Sequence, residues 1–239
     1  MGINTLTFNN VNSKTYGVYI SGTGVFNAPA RDREFIKVPG RNGDIIKDYG
    51  RYQNIEITYP AFIVRDFASN IRTWCNKLLE PTDYVRLEDT YHPNEFRLAV
   101  LAQGMEVDPV AWLAAGSFDL RFNCRPERFL KSGETPWDIY LSGVVYNPTS
   151  MVAKPLVRVY GYGTVTIGGT TITIASHNLE YIDIDCDLQE AYCGSTNANQ
   201  YISCSEFPIL QPGTVQVSAN YSNPSGTKKT SITPRFWQL

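Results

Sequence analysis

Three aspartates in the second half of the chain alternate with apolar residues, at Asp183, Asp185 and Asp187. On a β-strand alternate side chains share one face, which would space successive carboxylates ~6.7 Å apart. That separation lies in the range of inverting glycosidases, and alternating carboxylates also suit Ca²⁺. No neighbouring residue would keep one acid protonated, however, and the loop of a known calcium site is missing. We therefore expect a solvent-exposed acidic face that hinders edge-to-edge aggregation, with no catalytic or metal site.

The histidines and glycine motifs give no stronger indication of chemistry. His92 and His177 lie in predicted turns, and no GxSxG nucleophile motif accompanies them. The glycines at 161 and 163, followed by a pair at 168 and 169, superficially resemble a dinucleotide loop, but a strand follows them instead of a helix. Segment 40–44 (GRNGD) lacks the lysine and hydroxyl residue of a P-loop. We expect turns at these glycines, no catalytic residue, no cofactor and no enzymatic activity.

The cysteines are odd in number, lack CxxC spacing and have no histidine nearby, at Cys75, Cys124, Cys186, Cys193 and Cys204. This pattern favours neither a disulfide framework nor a zinc site, so we expect reduced, mostly buried thiols. Fifteen tyrosines raise the aromatic fraction to 13%. Four of them could form a sugar-stacking platform or pack in a core or interface, namely Tyr160, Tyr162, Tyr192 and Tyr201.

Composition indicates a globular, strand-rich protein. Of the 239 residues, 43% are hydrophobic and only 18% charged, below the ~25% of ordinary globular chains. The net charge of −2 provides no basic field, which argues against sequence-specific nucleic-acid binding and against direct membrane binding. Neither a leader pattern nor a run of eighteen apolar residues occurs in the sequence, so we expect the chain to stay in an aqueous compartment.

The first part of the chain predicts an α+β domain. Residues 35–38 and 45–46 are expected to form strands around the turn pairs Pro39-Gly40 and Asn42-Gly43. A helix is predicted over 66–80, with Asp66 as N-cap and Pro81 ending it. Its apolar face would comprise Phe67, Ile71, Trp74, Cys75, Leu78 and Leu79.

A linker rich in Ser, Gly, Pro and Asn at 131–150 places the predicted domain boundary near residue 140, giving domains 1–140 and 141–239. The second domain is predicted to be all β. Its clearest hairpin has Val165, Ile167, Ile172 and Ile174 on one face around Gly168-Gly169. Short strands at regular spacing continue to residue 233, which favours a β-sandwich.

Taken in order, these segments resemble the distal tail protein family of long-tailed, non-contractile phages of Gram-positive bacteria. The resemblance covers most of the chain. It is carried by the segments 35–44 (FIKVPGRNGD), 48–60 (DYGRYQNIEITYP), 86–91 (RLEDTY), 118–130 (FDLRFNCRPERFL), 146–149 (YNPT), 153–156 (AKPL), Gly161, Gly163 and 232–237 (ITPRFW). None of these motifs marks a reactive site, but the ordered set is specific.

The resemblance implies a mainly β structural protein with a belt domain that forms a hexameric ring and a galectin-like sandwich outside it. The ring would contact the tail-tube protein on one side and the tail-tip protein on the other, with DNA passing through its lumen. In many relatives the outer modules carry receptor-binding proteins. The protein would belong to the virion tail tip, after assembly in the host cytoplasm. The alternative is a carbohydrate-binding adhesion module that contacts the host cell wall through the sandwich and its tyrosines. The resemblance itself does not imply sugar binding, because a shared fold does not fix function.

Overall fold

The computed structural model describes residues 4–22, 24, 26–64, 67–104, 107–110, 115–222 and 229–239. The chain forms two compact units, Met1–Arg128 with Leu239, and Phe129–Gln238. The boundary predicted at 140 lies inside the second unit, because the strand Trp137–Ile139 pairs with a strand close to the C-terminus, Trp137 opposite Ile232. The mainly β fold is confirmed. No helix in the described ranges is long and apolar enough to span a membrane.

The first unit is an antiparallel sheet with one packed α-helix in its described residues. Its elements are β1 (Leu6–Phe8), β2 (Val11–Asn12), β3 (Val18–Ile20), β4 (Arg31–Ile36), β5 (Ile45–Tyr52), β6 (Ile55–Ile63), α1 (Phe67–Leu79), β7 (Val85–Asp89), β8 (Glu95–Leu101), β9 (Val107–Val110) and β10 (Ala115–Cys124). The sheet order is β2-β1-β7-β8-β10-β6-β3, with β9 against β10, while β4 and β5 pair with each other in a separate two-stranded sheet. A short 3₁₀ helix spans Ser13–Tyr16.

Helix α1 packs one apolar face onto this unit, as predicted. Trp74 is fully buried at its centre, and Phe67, Ile71 and Leu78 are buried on the same side. The prediction is wrong for Leu79, which is 63% exposed, because it is the last helical residue and lies ~100° around the axis from Leu78. The predicted N-cap, Asp66, lies outside the described residues.

The second unit is a sandwich of a six-stranded and a five-stranded antiparallel sheet. Its strands are β12 (Trp137–Ile139), β13 (Ser142–Asn147), β14 (Leu156–Val159), β15 (Tyr162–Ile167), β16 (Thr170–Ile174), β17 (Ile182–Asp185), β18 (Glu190–Cys193), β19 (Thr196–Asn197), β20 (Ile202–Ser203), β21 (Gly213–Ser222) and β22 (Thr230–Thr233). The sheet orders are β12-β22-β14-β17-β18-β19 and β13-β21-β15-β16-β20. Two further strands outside these sheets, β11 (Arg128–Leu130) and β23 (Trp237–Gln238), pair with each other. Short 3₁₀ helices span Lys131–Glu134 and Asn199–Tyr201.

The core of the sandwich comes from alternate residues of both sheets. The β15–β16 hairpin buries the four predicted aliphatic side chains, which confirms the predicted hairpin. Its turn residues Gly168 and Gly169 have φ of 57° and 91°, the positive values that a tight primed turn requires. From the opposite sheet, β14, β17 and β22 contribute Val157, Ile184 and Ile232 to the same cluster.

Gly133 packs directly against the backbone of Arg235 and Phe236, which leaves no room for a side chain. A Cβ added there would lie 2.4 Å from the backbone nitrogen of Phe236, and the Gly133 carbonyl already accepts a hydrogen bond from the Arg235 amide at 2.8 Å. We expect Gly133→Ala to lower the free energy of unfolding by about 1 to 3 kcal/mol, since backbone atoms must shift. Urea unfolding followed by circular dichroism measures the change.

Gly143→Ala is the matched control in the same unit, because its added Cβ would meet only the side chain of Ile139, at 3.4 Å. We expect it to change stability by less than about 0.5 kcal/mol. Equal unfolding midpoints for the two variants would contradict the close approach at Gly133.

Candidate functional site

Strand β17 carries the first two aspartates of the predicted acidic face, and both are buried. Asp183 is 4% exposed and lies opposite Arg158 of β14. Arg158 donates from Nε and Nη2 to the two carboxylate oxygens of Asp183, at 2.6 and 2.7 Å. The Arg158 guanidinium also stacks 4.1 Å from the centroid of the Tyr181 ring. Asp183 is therefore half of a bidentate ion pair on the outer face of the six-stranded sheet.

Asp185 forms a second bidentate pair, with Arg235. Both Nη atoms donate to its carboxylate at 2.8 Å, and the amides of Asp187 and Leu188 donate to Oδ1. Burial raises the pKa of Asp185, but the hydrogen bonds from Arg235 and the two amides outweigh that cost and hold the pKa below its ordinary value. The third aspartate, Asp187, is exposed and pairs with Lys154 at 3.0 Å.

The predicted solvent-exposed acidic face is thus wrong for two of its three members. The partners that bury Asp183 and Asp185 lie 25 and 50 residues away in sequence. Each carboxylate accepts two hydrogen bonds from an arginine, whereas a glycosidase acid must carry a proton to donate. The two pairs are suited to fixing strands β14 and β17 and the C-terminal segment to one another.

Both histidines are held by turns. The His92 amide donates to Asp89 at 2.8 Å and its Nδ1 lies 3.1 Å from the same carboxylate, which also accepts from the Tyr59 hydroxyl. In His177, Nδ1 accepts from the Leu179 amide, so Nε2 donates to the Gly161 carbonyl at 3.0 Å. In the described part of the chain no hydroxyl or thiol of a serine or cysteine hydrogen-bonds to either ring.

All five cysteines are free thiols, two of them buried and three partly buried. Burial raises the pKa of Cys124 and of Cys186 to about 12, which suppresses the reactive thiolate. Among the described residues, no three His, Cys, Asp or Glu side chains are grouped so as to hold a metal ion.

The four tyrosines considered as a sugar platform lie in two places. Tyr162 and Tyr201 pack against the core of the sandwich. Tyr192 lies opposite Asp183 on the outer face, and the Tyr160 ring packs against Tyr181 there at a tilted angle, with ring centroids 6.2 Å apart. The structure therefore separates the predicted set.

The feature of the first unit that points to function is the β4–β5 hairpin, here called the arm (residues 31–52). Each face of its base carries a cross-strand ion pair, Arg33 with Asp48 at 2.9 Å and Lys47 with Glu34 at 3.8 Å. Hydrogen bonds from Arg33, from the Gly50 amide and from Arg31 lower the pKa of Asp48 to about 2. These contacts fix the register of the arm.

Toward its tip the arm exposes apolar side chains on both faces. Phe35 lies opposite Ile46 on one face and Ile36 opposite Ile45 on the other, and all four are exposed, Phe35 by 61%. Gly40 and Gly43 in the turn have φ of 79° and 84°, which confirms the predicted turn. Single exposed apolar residues are common on protein surfaces, but four of them together beside the turn of one hairpin indicate an interaction surface.

The fold of the whole chain is similar to that of phage tail proteins of known structure. Neither a family model nor a curated protein matches the sequence. Phage SPP1 Dit (gp 19.1), described as a paradigm of the hub adsorption apparatus in Gram-positive infecting phages, matches at a TM-score of 0.72 and 13% identity over 100% of both chains. Chains of the phage p2 baseplate, in its activated conformation with Sr and with Ca, match at 0.51 and 11% over 97% of this chain and 98% of those. The chain has the Dit fold.

The family resemblance in the sequence is therefore confirmed at the level of the fold. Within this Dit fold, sequence reasoning missed Arg158 and Arg235 as partners of the acidic strand. Arg235 stands in the Dit-like motif 232–237 and has φ of 55°, a left-handed conformation that directs its guanidinium to Asp185. Arg158 could have been identified as the partner of Asp183 only if the pairing register of β14 with β17 were known. The sequence alone does not determine that register, because these residues lie 25 positions apart.

The pair of Asp185 and Arg235 yields a pH-dependent prediction. We expect Asp185→Asn to reduce the free energy of unfolding by about 2 kcal/mol at pH 7, less than for a fully buried pair because Arg235 is partly exposed. The folded-state pKa of Asp185 is depressed, so its contribution is present above the unfolded pKa and is lost as pH falls through the folded value. In urea unfolding, the stability difference between wild type and variant should shrink as the pH falls below about 4, the ordinary pKa of an aspartate.

Asp187→Asn is the control, since its pair with Lys154 is exposed. It should alter stability by less than about 1 kcal/mol at any pH. A stability difference between Asp185→Asn and wild type that does not shrink as the pH falls would show that the ionised pair is not what stabilises the fold.

Proposed function

We propose that this protein is a structural hub of the tail tip of a long-tailed, non-contractile phage. In this proposal six copies form a ring through their arms, with the tail-tube protein on one side and the tail-tip protein on the other. The first unit is the ring-forming belt domain, and the second is a galectin-like outer module that carries host-adsorption proteins. The likeness to SPP1 Dit over the full length of both chains supports the proposal.

The exposed arm is the observation that most supports ring formation. A two-stranded hairpin is at best marginally stable alone, and this one has no described third strand or covering layer. Burying its apolar tip on a neighbouring copy would remove that surface from water, at about 25 cal/mol per Å². Because the arm and the surface that receives it differ, the contact is heterologous, and repeated rotation closes it into a ring.

Removal of the apolar pair on one face of the arm tests this contact. Phe35→Thr with Ile46→Thr keeps residues of high β propensity and removes the exposed aromatic and aliphatic surface. We expect wild type to reach at least the mass of six copies of the 26.8 kDa chain, about 161 kDa, and the double variant to need at least about a hundredfold higher concentration to reach that mass. Light scattering after size exclusion, over a concentration series, measures this.

Leu188→Thr is the matched control, an equally exposed apolar residue outside the arm, and it should assemble as wild type does. Circular dichroism confirms that the variants remain folded. A wild type that remains a single chain at high concentration, or a double variant that assembles normally, would contradict the proposal.

Carbohydrate binding is the second candidate, favoured by Tyr160, Tyr181 and Tyr192 beside Arg158 on the outer face of the six-stranded sheet. If this face held sugars, the full chain would bind specific glycans on an array and Tyr160→Ala would abolish the signal. If wild type and Tyr160→Ala give the same background signal, this candidate is rejected.

A further inference from the structure

The four edges of the sandwich differ in how they are protected. Strands β19 and β20 have two residues each, and β12 has three, including Asp138, which pairs with Lys229. Short strands and charges are the usual protection against unwanted pairing. The remaining edge, β13, has six residues (SGVVYN) in unbroken register with β21, and it contains neither a charged residue nor a proline.

The backbone of β13 presents a regular set of groups to this open edge. The Leu141 carbonyl accepts from the Ala219 amide at 2.7 Å, so in the antiparallel ladder residues 143, 145 and 147 bond to β21. Ser142, Val144 and Tyr146 then direct their N–H and C=O groups away from the sheet. In the described part of the chain, no other hydrogen bond occupies these groups.

The side chains of the same residues are also uncovered. Val144 is 44% and Tyr146 56% exposed, whereas Val145 between them is fully buried in the core. The edge therefore combines free backbone donors and acceptors with exposed apolar side chains, which are the requirements for adding a strand.

We propose that β13 pairs with β13 of a second copy, antiparallel, about a two-fold axis through Val144. A residue whose N–H and C=O both point away from the sheet can form a hydrogen-bonded pair only with another such residue. This register places the three outward-facing residues of one copy, Ser142, Val144 and Tyr146, opposite the same three residues of the other copy. Ser142 meets Tyr146 of the second copy, Val144 meets its counterpart, and Tyr146 meets Ser142, which gives six hydrogen bonds.

The occupant is a second copy because the edge is complementary to itself. A two-fold axis perpendicular to the sheet keeps exposed side chains beside exposed ones, and it places Val145 beside Gly143 of the second copy on the core side. An uncharged strand meets no like charge when it pairs with itself, whereas the edge β12 would bring two copies of Asp138 close together. The contact is isologous and does not involve the arm, so it is separate from ring formation.

Charge reversal at the two-fold axis tests both the surface and the occupant. In the Phe35→Thr, Ile46→Thr background, at concentrations where the weakened arm contact forms no ring, we expect a dimer of twice 26.8 kDa. Val144→Lys and Val144→Glu should each give single chains, because each variant places like charges opposite each other. An equimolar mixture of the two should restore the dimer in sedimentation velocity experiments.

The control for charge alone is Thr173→Lys, an exposed position on β16, which is paired on both sides, and it should dimerise normally. Dimers in each single-charge variant would overturn the proposal. Loss in both variants without recovery in the mixture would also overturn it. Single chains of the Phe35→Thr, Ile46→Thr parent at high concentration would overturn it too and would leave the edge to a strand of another protein.

A cross-link provides a second readout that does not depend on charge. The Cα atoms of a hydrogen-bonded antiparallel pair lie about 5.5 Å apart, within the reach of a disulfide. With the partly buried thiols replaced (Cys75→Ser, Cys193→Ser, Cys204→Ser), oxidised Val144→Cys should give at least about ten times more covalent dimer than Thr173→Cys. Equal yields from the two variants would contradict pairing at Val144.

Discussion

A two-stranded sheet has two faces and no interior, and this constraint governs the arm. In the described structure its apolar tip residues have nothing to pack against within the chain, so only an external surface can cover them. The cross-strand ion pairs at the base hold the register while the tip remains exposed. The arm therefore has a charged base and an apolar stretch next to its turn, which suits a segment that folds with its own chain and is buried by another.

The second unit, in contrast, covers its apolar side chains within its own fold. Its two sheets enclose a common core, and the charges on the outer face of β17 are neutralised in bidentate pairs instead of being left to solvent. Arg235 connects the C-terminal segment to the sheet, and the Gly133 carbonyl accepts from the backbone of the same arginine. What remains open is the edge β13, and this is the place where the sandwich can extend by one more strand.

Local signals predicted much of this fold. Turn glycines fixed the arm and the β15–β16 hairpin, and periodicity located helix α1, because these features depend on neighbours in sequence. Burial of Asp183 and Asp185 depends on arginines 25 and 50 residues away, so alternation alone suggested a solvent face. The same limit applies to the domain boundary, since the composition of residues 131–150 predicted a linker but residues 137–139 pair with the distant strand β22. The arm was predicted as a turn-centred strand pair, while its exposure required the structure.

End-on imaging of the purified wild-type chain by electron microscopy tests the central claim most directly. The account predicts closed rings with six-fold symmetry in which density for each arm, residues 31–52, lies on the adjacent subunit. Open filaments, rings of another symmetry, or isolated chains at high concentration with the arm free of any neighbour would contradict it.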